Sequence, residues 1–167
     1  MARIHYVTGD ATAPQTEGKK IIVHVCNDIG AWGAGFVLAL SKKWKEPEAM
    51  YREAFRKKQK PMLGQVQYVF LGDNIMVANM IAQKGVGYSE DGTPPIRYAA
   101  VRAALADVND TAWRIGATIH MPRIGCGLAG GQWEEIEKIL QQVLSVDAYV
   151  YDLQPKTSAP FKLANLN

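Results

Sequence analysis

The run Ile21-Ile22-Val23-His24-Val25 constrains this chain more than any other feature. It is apolar at four of five positions, rich in β-branched residues, and does not alternate with polar ones. Such a run does not suit a strand with one wet face; it suits an interior strand covered on both faces. A sheet containing that strand needs helices above and below it. Short strands are expected at Arg3–Val7, 66–71, 75–80, Thr118–Met121 and Ala148–Leu153. Gly72-Asp73 reads as a two-residue hairpin turn joining the second and third of these. Between them, Ala31 to Trp44 reads as a helix with Phe36, Val37, Leu40 and Trp44 on one face. Pro47 suits the first turn of a second helix, with Met50, Ala54 and Phe55 inward. Ile96 to Trp113 and Trp133 to Leu144 give two more, the first with Val101, Leu105 and Val108 inward. The order of elements predicts an α/β fold: a three-layer α/β/α domain around a mixed, mostly parallel sheet of about six strands.

With 167 residues, one domain over 1–153 and a flexible tail over 154–167 are expected. No apolar run reaches the ~20 residues of a membrane span. The first residues, Met1-Ala2-Arg3-Ile4-His5, hold no apolar signal core. Cys26 and Cys126 are too few for a disulfide framework and fit reduced thiols, so a cytoplasmic location is expected. No cluster of His, Cys and carboxylates has metal-ligand spacing; neither metal nor cofactor is expected. The net charge is +3, too small to mark a nucleic-acid binder. Its distribution is uneven. Lys42 to Lys60 carries eight basic residues against Glu46, Glu48 and Glu53. That segment lacks the interleaved aromatics of a single-strand binder and reads first as a solvated helix face.

Ten of the 15 glycines fall in three stretches: 30–35, 85–92 and 125–131. Each follows an expected strand, and in α/β sheets ligands sit at the carboxyl ends of strands. Gly33-Ala34-Gly35 opens a helix, where free backbone N–H groups and the helix dipole favour an anion. Ile124-Gly125-Cys126-Gly127-Leu128 offers a second set of amides. Two such loops suit a diphosphate better than one phosphate. Neither is a Walker motif nor a GxGxxG dinucleotide fingerprint. A phosphorylated, nucleotide-like ligand follows, its identity open.

Three strings carry a resemblance: Gly9-Asp10; His24-Val25-Cys26-Asn27-Asp28-Ile29-Gly30-Ala31-Trp32-Gly33-Ala34-Gly35; and Met121-Pro122-Arg123-Ile124-Gly125-Cys126-Gly127-Leu128 with Gln132-Trp133 and Val150-Tyr151-Asp152-Leu153. Together they resemble the macro domain, an ADP-ribose-binding module, over about residues 3–153. The branch looks like that of terminal ADP-ribose protein glycohydrolase and ADP-ribose-1''-phosphate phosphatase. The resemblance implies that Asp10, between Gly9 and Ala11, accepts a hydrogen bond from the adenine amino group. It implies that Asn27 reaches the distal ribose. It assigns Gly33, Ala34, Gly35 and Phe36 to one diphosphate loop, and Ile124, Gly125, Cys126, Gly127 and Leu128 to the other. Cys126 is expected as a small loop residue, not a nucleophile.

Catalysis stays open between two classes. Where the glycohydrolase relatives carry a lysine this chain has Gln83, with Lys84 one place on, and where they carry an aspartate it has Ala129. Glutamine forms no Schiff base and does not titrate. His24 matches a histidine implicated in the phosphatase relatives and titrates near neutrality in water, though a lone histidine in an apolar strand is also a common core residue. His24 and Lys84 are therefore the catalytic candidates. The implied partner is ADP-ribose or an ADP-ribosylated molecule. The activity is hydrolysis of an ADP-ribose derivative, or else recognition without turnover.

Overall fold

The computed structural model describes residues 2–155; the tail expected from residue 154 falls, from residue 156 on, outside the described residues. Six strands form one sheet: β1 Ile4–Thr8, β2 Lys20–Asn27, β3 Val66–Gly72, β4 Ile75–Gln83, β5 Thr118–Met121 and β6 Ala148–Asp152. Their order is β1-β6-β5-β2-β4-β3, parallel except for the β3–β4 hairpin. β2 lies inside the sheet, between β5 and β4. Its side chains divide between two cores as the pleat requires. Ile21 and Val23 join helices α3 Tyr98–Ile115 and α4 Trp133–Val143 on one face. Ile22 and Cys26 join α1 Phe36–Lys43 and α2 Glu46–Arg56 on the other. This explains the unbroken apolar run. Ile21, Ile22 and Val23 are fully buried, each worth roughly 1.5–3 kcal/mol relative to exposure.

Three expectations change. Helix α1 starts at Phe36, not Ala31. Asn27 Oδ1 accepts the N–H groups of Ile29 and Ala31 at 3.1 and 3.0 Å, holding that stretch as a loop. Gly35, at φ +83°, has left-handed backbone that a helix interior does not accept. The hairpin turn is Asp73-Asn74, one residue later than expected, with φ +49° and +60°. Two positive values define the turn that matches strand twist, and Asp and Asn tolerate them. On α2 the inward residue is Tyr51, fully buried, whereas Met50 is exposed. The helix begins at Glu46 with Pro47 inward, and the next buried position follows one turn later. No helix of the described residues is long and apolar enough to cross a membrane.

Candidate ligand cleft

The carboxyl ends of β1, β2, β4, β5 and β6 feed loops into one cleft of three contiguous cavities, of about 330, 190 and 380 Å³. The first is lined by Gly9, Asp10, Ala11, Gly35, Phe36 and Tyr151. Asp10 uses Oδ1 to accept the Thr12 N–H and hydroxyl, both at 2.8 Å. Among the described residues its Oδ2 takes no partner. Tyr151 is fixed from below: its hydroxyl meets His120 Nδ1 at 2.8 Å and accepts the Gln15 N–H at 2.9 Å.

The central cavity is the smallest of the three. Ala34, Gly35 and Phe36 form one wall; Ile124, Gly125, Gly127, Leu128 and Ala129 form the other. Among the described residues, the backbone N–H groups of Gly33 to Val37 and of Gly125 to Leu128 find no acceptor within the protein. Backbone donors are rarely left unpaired without water or a ligand to take them. Gly131 sets the second loop. Its N–H donates to Gly125 O at 2.7 Å, and a Cβ there would lie 2.4 Å from that oxygen. Arg123 lines this cavity too, but its charge is engaged. Nε and Nη2 donate to both Asp152 oxygens at 2.9 and 2.8 Å, and the guanidinium lies about 5 Å from the Tyr6 and Trp133 rings. Asp152 holds the Arg123 pKa above its usual value. With Arg123 engaged, the free donors of the two loops are main-chain N–H groups.

The distal cavity is lined by Cys26, Asn27, Ala31, Gly33, Gln83 and Val86. Asn27 is heavily used from within. Besides holding Ile29 and Ala31, it donates from Nδ2 to Ala31 O at 2.7 Å, and its Oδ1 lies 2.7 Å from the Tyr51 hydroxyl. One Nδ2 hydrogen remains. Gln83 donates from Nε2 to Gly85 O at 2.8 Å, and Asp28 ties the two loops by accepting the Gly85 N–H at 2.8 Å.

The cleft thus gathers nearly all the residues singled out in the sequence. Lys84 and Cys126 line none of the three cavities. Lys84 is exposed, with only its backbone N–H engaged, to Pro95 O at 2.8 Å. Cys126 turns its Sγ to Ile124 O at 3.4 Å, and burial raises its pKa. His24 touches the central cavity but is only 2% exposed, its Nε2 2.6 Å from Asn79 Oδ1. Asn79 Nδ2 donates to Pro47 O and Gln67 Oε1, so Oδ1 is left to accept the His24 N–H. Burial lowers the His24 pKa to about 4, against a smaller opposing effect of the Asn79 bond. The ring is neutral and held in place as a core histidine is. Burial likewise raises the Cys26 thiol. Sequence reasoning passed over Val37, Pro122, Tyr151 and Leu153, all of which line the cleft. Pro122 and Tyr151 sit inside the quoted strings; Val37 reads as core, and nothing local marks its second role.

Fold and cleft together define an α/β/α domain with one cleft along the carboxyl ends of a mostly parallel sheet. No protein-family model matches the chain. Among curated proteins it is 31% identical over 163 residues to the Mus musculus chromodomain-helicase-DNA-binding protein 1-like, covering 89% of this chain but 17% of that protein. It is 30% identical over 144 residues to the Bos taurus ADP-ribose glycohydrolase OARD1, covering 85% and 84% of the two chains. It is 28% identical to the Candida albicans ADP-ribose 1''-phosphate phosphatase, covering 89% and 98%. A solved Streptomyces coelicolor macrodomain superposes with TM-score 0.78 at 45% identity, covering 90% and 99%. A Bacteroides thetaiotaomicron structure does so with TM-score 0.85 at 49%, covering 89% and 98%. The chain belongs to the macrodomain family.

Proposed function

We propose that the cleft binds ADP-ribose and that the protein hydrolyses an ADP-ribose derivative at its distal ribose. The adenine lies beside Asp10, the diphosphate between the two glycine loops, and the distal ribose toward Asn27 and Gln83. One observation carries this reading: two loops whose backbone amides find no protein acceptor among the described residues line the same small cavity. A doubly charged diphosphate is the ligand that uses both, and charge-assisted bonds to backbone N–H groups are the strong kind. Two relatives covered for most of their own length, the Candida albicans and Bos taurus proteins, are named for hydrolysis of ADP-ribose derivatives, which supports the second half.

A binding module without turnover is the second reading. It is favoured by the side chains of the distal cavity, where the Cys26 thiol is pushed up and, among the described residues, no lysine enters. Calorimetry with ADP-ribose and phosphate release from ADP-ribose-1''-phosphate separate the two. Wild type is expected to bind and to release phosphate. Gly127→Glu is expected to lose both while folding normally, because a Cβ at Gly127 meets nothing within 4 Å. Binding without release of phosphate, or of ADP-ribose from a modified peptide, establishes the reader. No binding at all overturns both.

A further inference from the structure

Helix α2 has two sides with different tasks. One side backs the loop 27–32 that shapes the distal end of the cleft. The Tyr51 hydroxyl lies 2.7 Å from Asn27 Oδ1, Arg52 Nη2 donates to Trp32 O at 3.2 Å, and Phe55 packs under Gly30. The other side opens onto a groove between α2 and β3, two adjoining hollows of about 670 and 660 Å³ that share Ala54, Lys57 and Gln67. This groove exceeds each cavity of the cleft in volume, and no glycine amide loop faces it. Lys45, Arg52, Arg56, Lys57 and Lys60 line it. Two of its three acids are paired, Glu48 with Arg52 at 2.9 Å and Glu53 with Arg56 at 3.1 Å; the third, Asp107, accepts the Tyr68 hydroxyl. Among the described residues Lys45, Lys57 and Lys60 form no ion pair. Met50 and Met62, both exposed, give it two apolar lips.

β3 is the last strand of the sheet, so one row of its N–H and C=O groups lacks a strand partner among the described residues, and its first residues, Val66 and Gln67, line the groove. We infer that this groove docks an extended acidic polypeptide, the macromolecule that carries the ADP-ribosyl group into the cleft. An acidic peptide satisfies both features at once: carboxylates meet the lysines, and its backbone adds a strand to β3. A nucleic acid answers the charge but has no extended amide backbone to continue the ladder of β3. Among the described residues no aromatic ring lines either hollow to stack a base. The inference rests on the proposed cleft function only for what the peptide carries; docking itself is measured without ADP-ribose.

The test is fluorescence anisotropy on the full chain, with a labelled unmodified peptide of about ten residues alternating Glu and Val. ADP-ribose affinity is measured in parallel. Wild type is expected to bind the peptide more tightly at low than at high salt. The triple variant Lys45→Glu, Lys57→Glu, Lys60→Glu is expected to lose about tenfold or more in peptide affinity, with ADP-ribose affinity unchanged. N-methylation of alternate peptide amides is expected to weaken binding as strongly. No peptide binding, equal binding by the triple variant, or indifference to N-methylation overturns the inference. So does tighter binding of a thymidine oligonucleotide of equal length. Loss of ADP-ribose binding alone bears on the cleft, not on the groove.

Discussion

Gly131→Ala offers a sharp test of how the second glycine loop is held. The added Cβ would lie 2.4 Å from Gly125 O, and real Cβ atoms keep at least 3.0 Å. The loop must therefore open by at least 0.6 Å, and the obstacle is backbone that cannot swing aside. That movement stretches the 2.7 Å hydrogen bond from Gly131 N to Gly125 O to the edge of usefulness. Gly131 has no left-handed backbone, so conformational strain adds nothing. Overpacking costs about 1–3 kcal/mol, and the weakened hydrogen bond adds about 1 kcal/mol. At about 2–4 °C per kcal/mol for a chain of this size, the combined cost of about 2–4 kcal/mol should lower melting by roughly 4–16 °C. The same movement displaces the amides of Gly125 to Leu128. Losing one charge-assisted bond costs about 1.5–3 kcal/mol, so ADP-ribose affinity should fall roughly ten- to hundredfold. Gly87→Ala is the control, because a Cβ there meets nothing within 4 Å. Differential scanning fluorimetry and calorimetry read both quantities. If Gly131→Ala matches Gly87→Ala in melting temperature and in affinity, Gly131 does not set the loop.

Three further outcomes are expected. Tyr51→Phe removes the buried hydroxyl at Asn27 and should lower stability by about 1 kcal/mol and weaken ADP-ribose binding, read by urea unfolding and calorimetry. Lys84→Ala should leave binding and turnover within twofold of wild type, since its side chain lies outside the cleft; a large loss of turnover would give that lysine a catalytic part. Burial lowers both His24 and His120 to a pKa of about 4 from 6.5. Between those values the unfolded chain binds more protons than the folded one. Stability should therefore fall as pH drops from about 6.5 to 4, by up to roughly 3 kcal/mol per histidine. Denaturant titrations across that window should show a smaller fall in His24→Gln.

Much of the fold was legible because it rests on local periodicity. The unbroken run at Ile21–Val25 required cover on both faces, and the helical spacing of Val101, Leu105 and Val108 supplied one of the covering elements. Glycine placement after strands marked the cleft, since loops at strand ends converge whatever the sequence between them. Boundaries were less legible where side chains compete with the backbone. Asn27 holds 28–31 as a loop, a bond between residues two and four apart that no propensity announces, so α1 starts five residues late. The two sides of α2 were equally hidden: Tyr51 reached the core where Met50 was expected, and the basic residues of one segment became a groove only when β3 arrived beside them.

The catalytic candidates mark the limit most plainly. In sequence His24, Gln83 and Lys84 are three polar residues near strand ends, separable only by analogy. The tertiary structure separates them by solvent. Burial against Asn79 keeps His24 neutral, one residue of strand phase turns Gln83 into the cleft, and the next leaves Lys84 outside it. The sequence by itself determined which elements form and which loops meet. Which side chains enter the cleft, and in what charge state, depends on strand phase and desolvation, and both exist only once distant segments pack together.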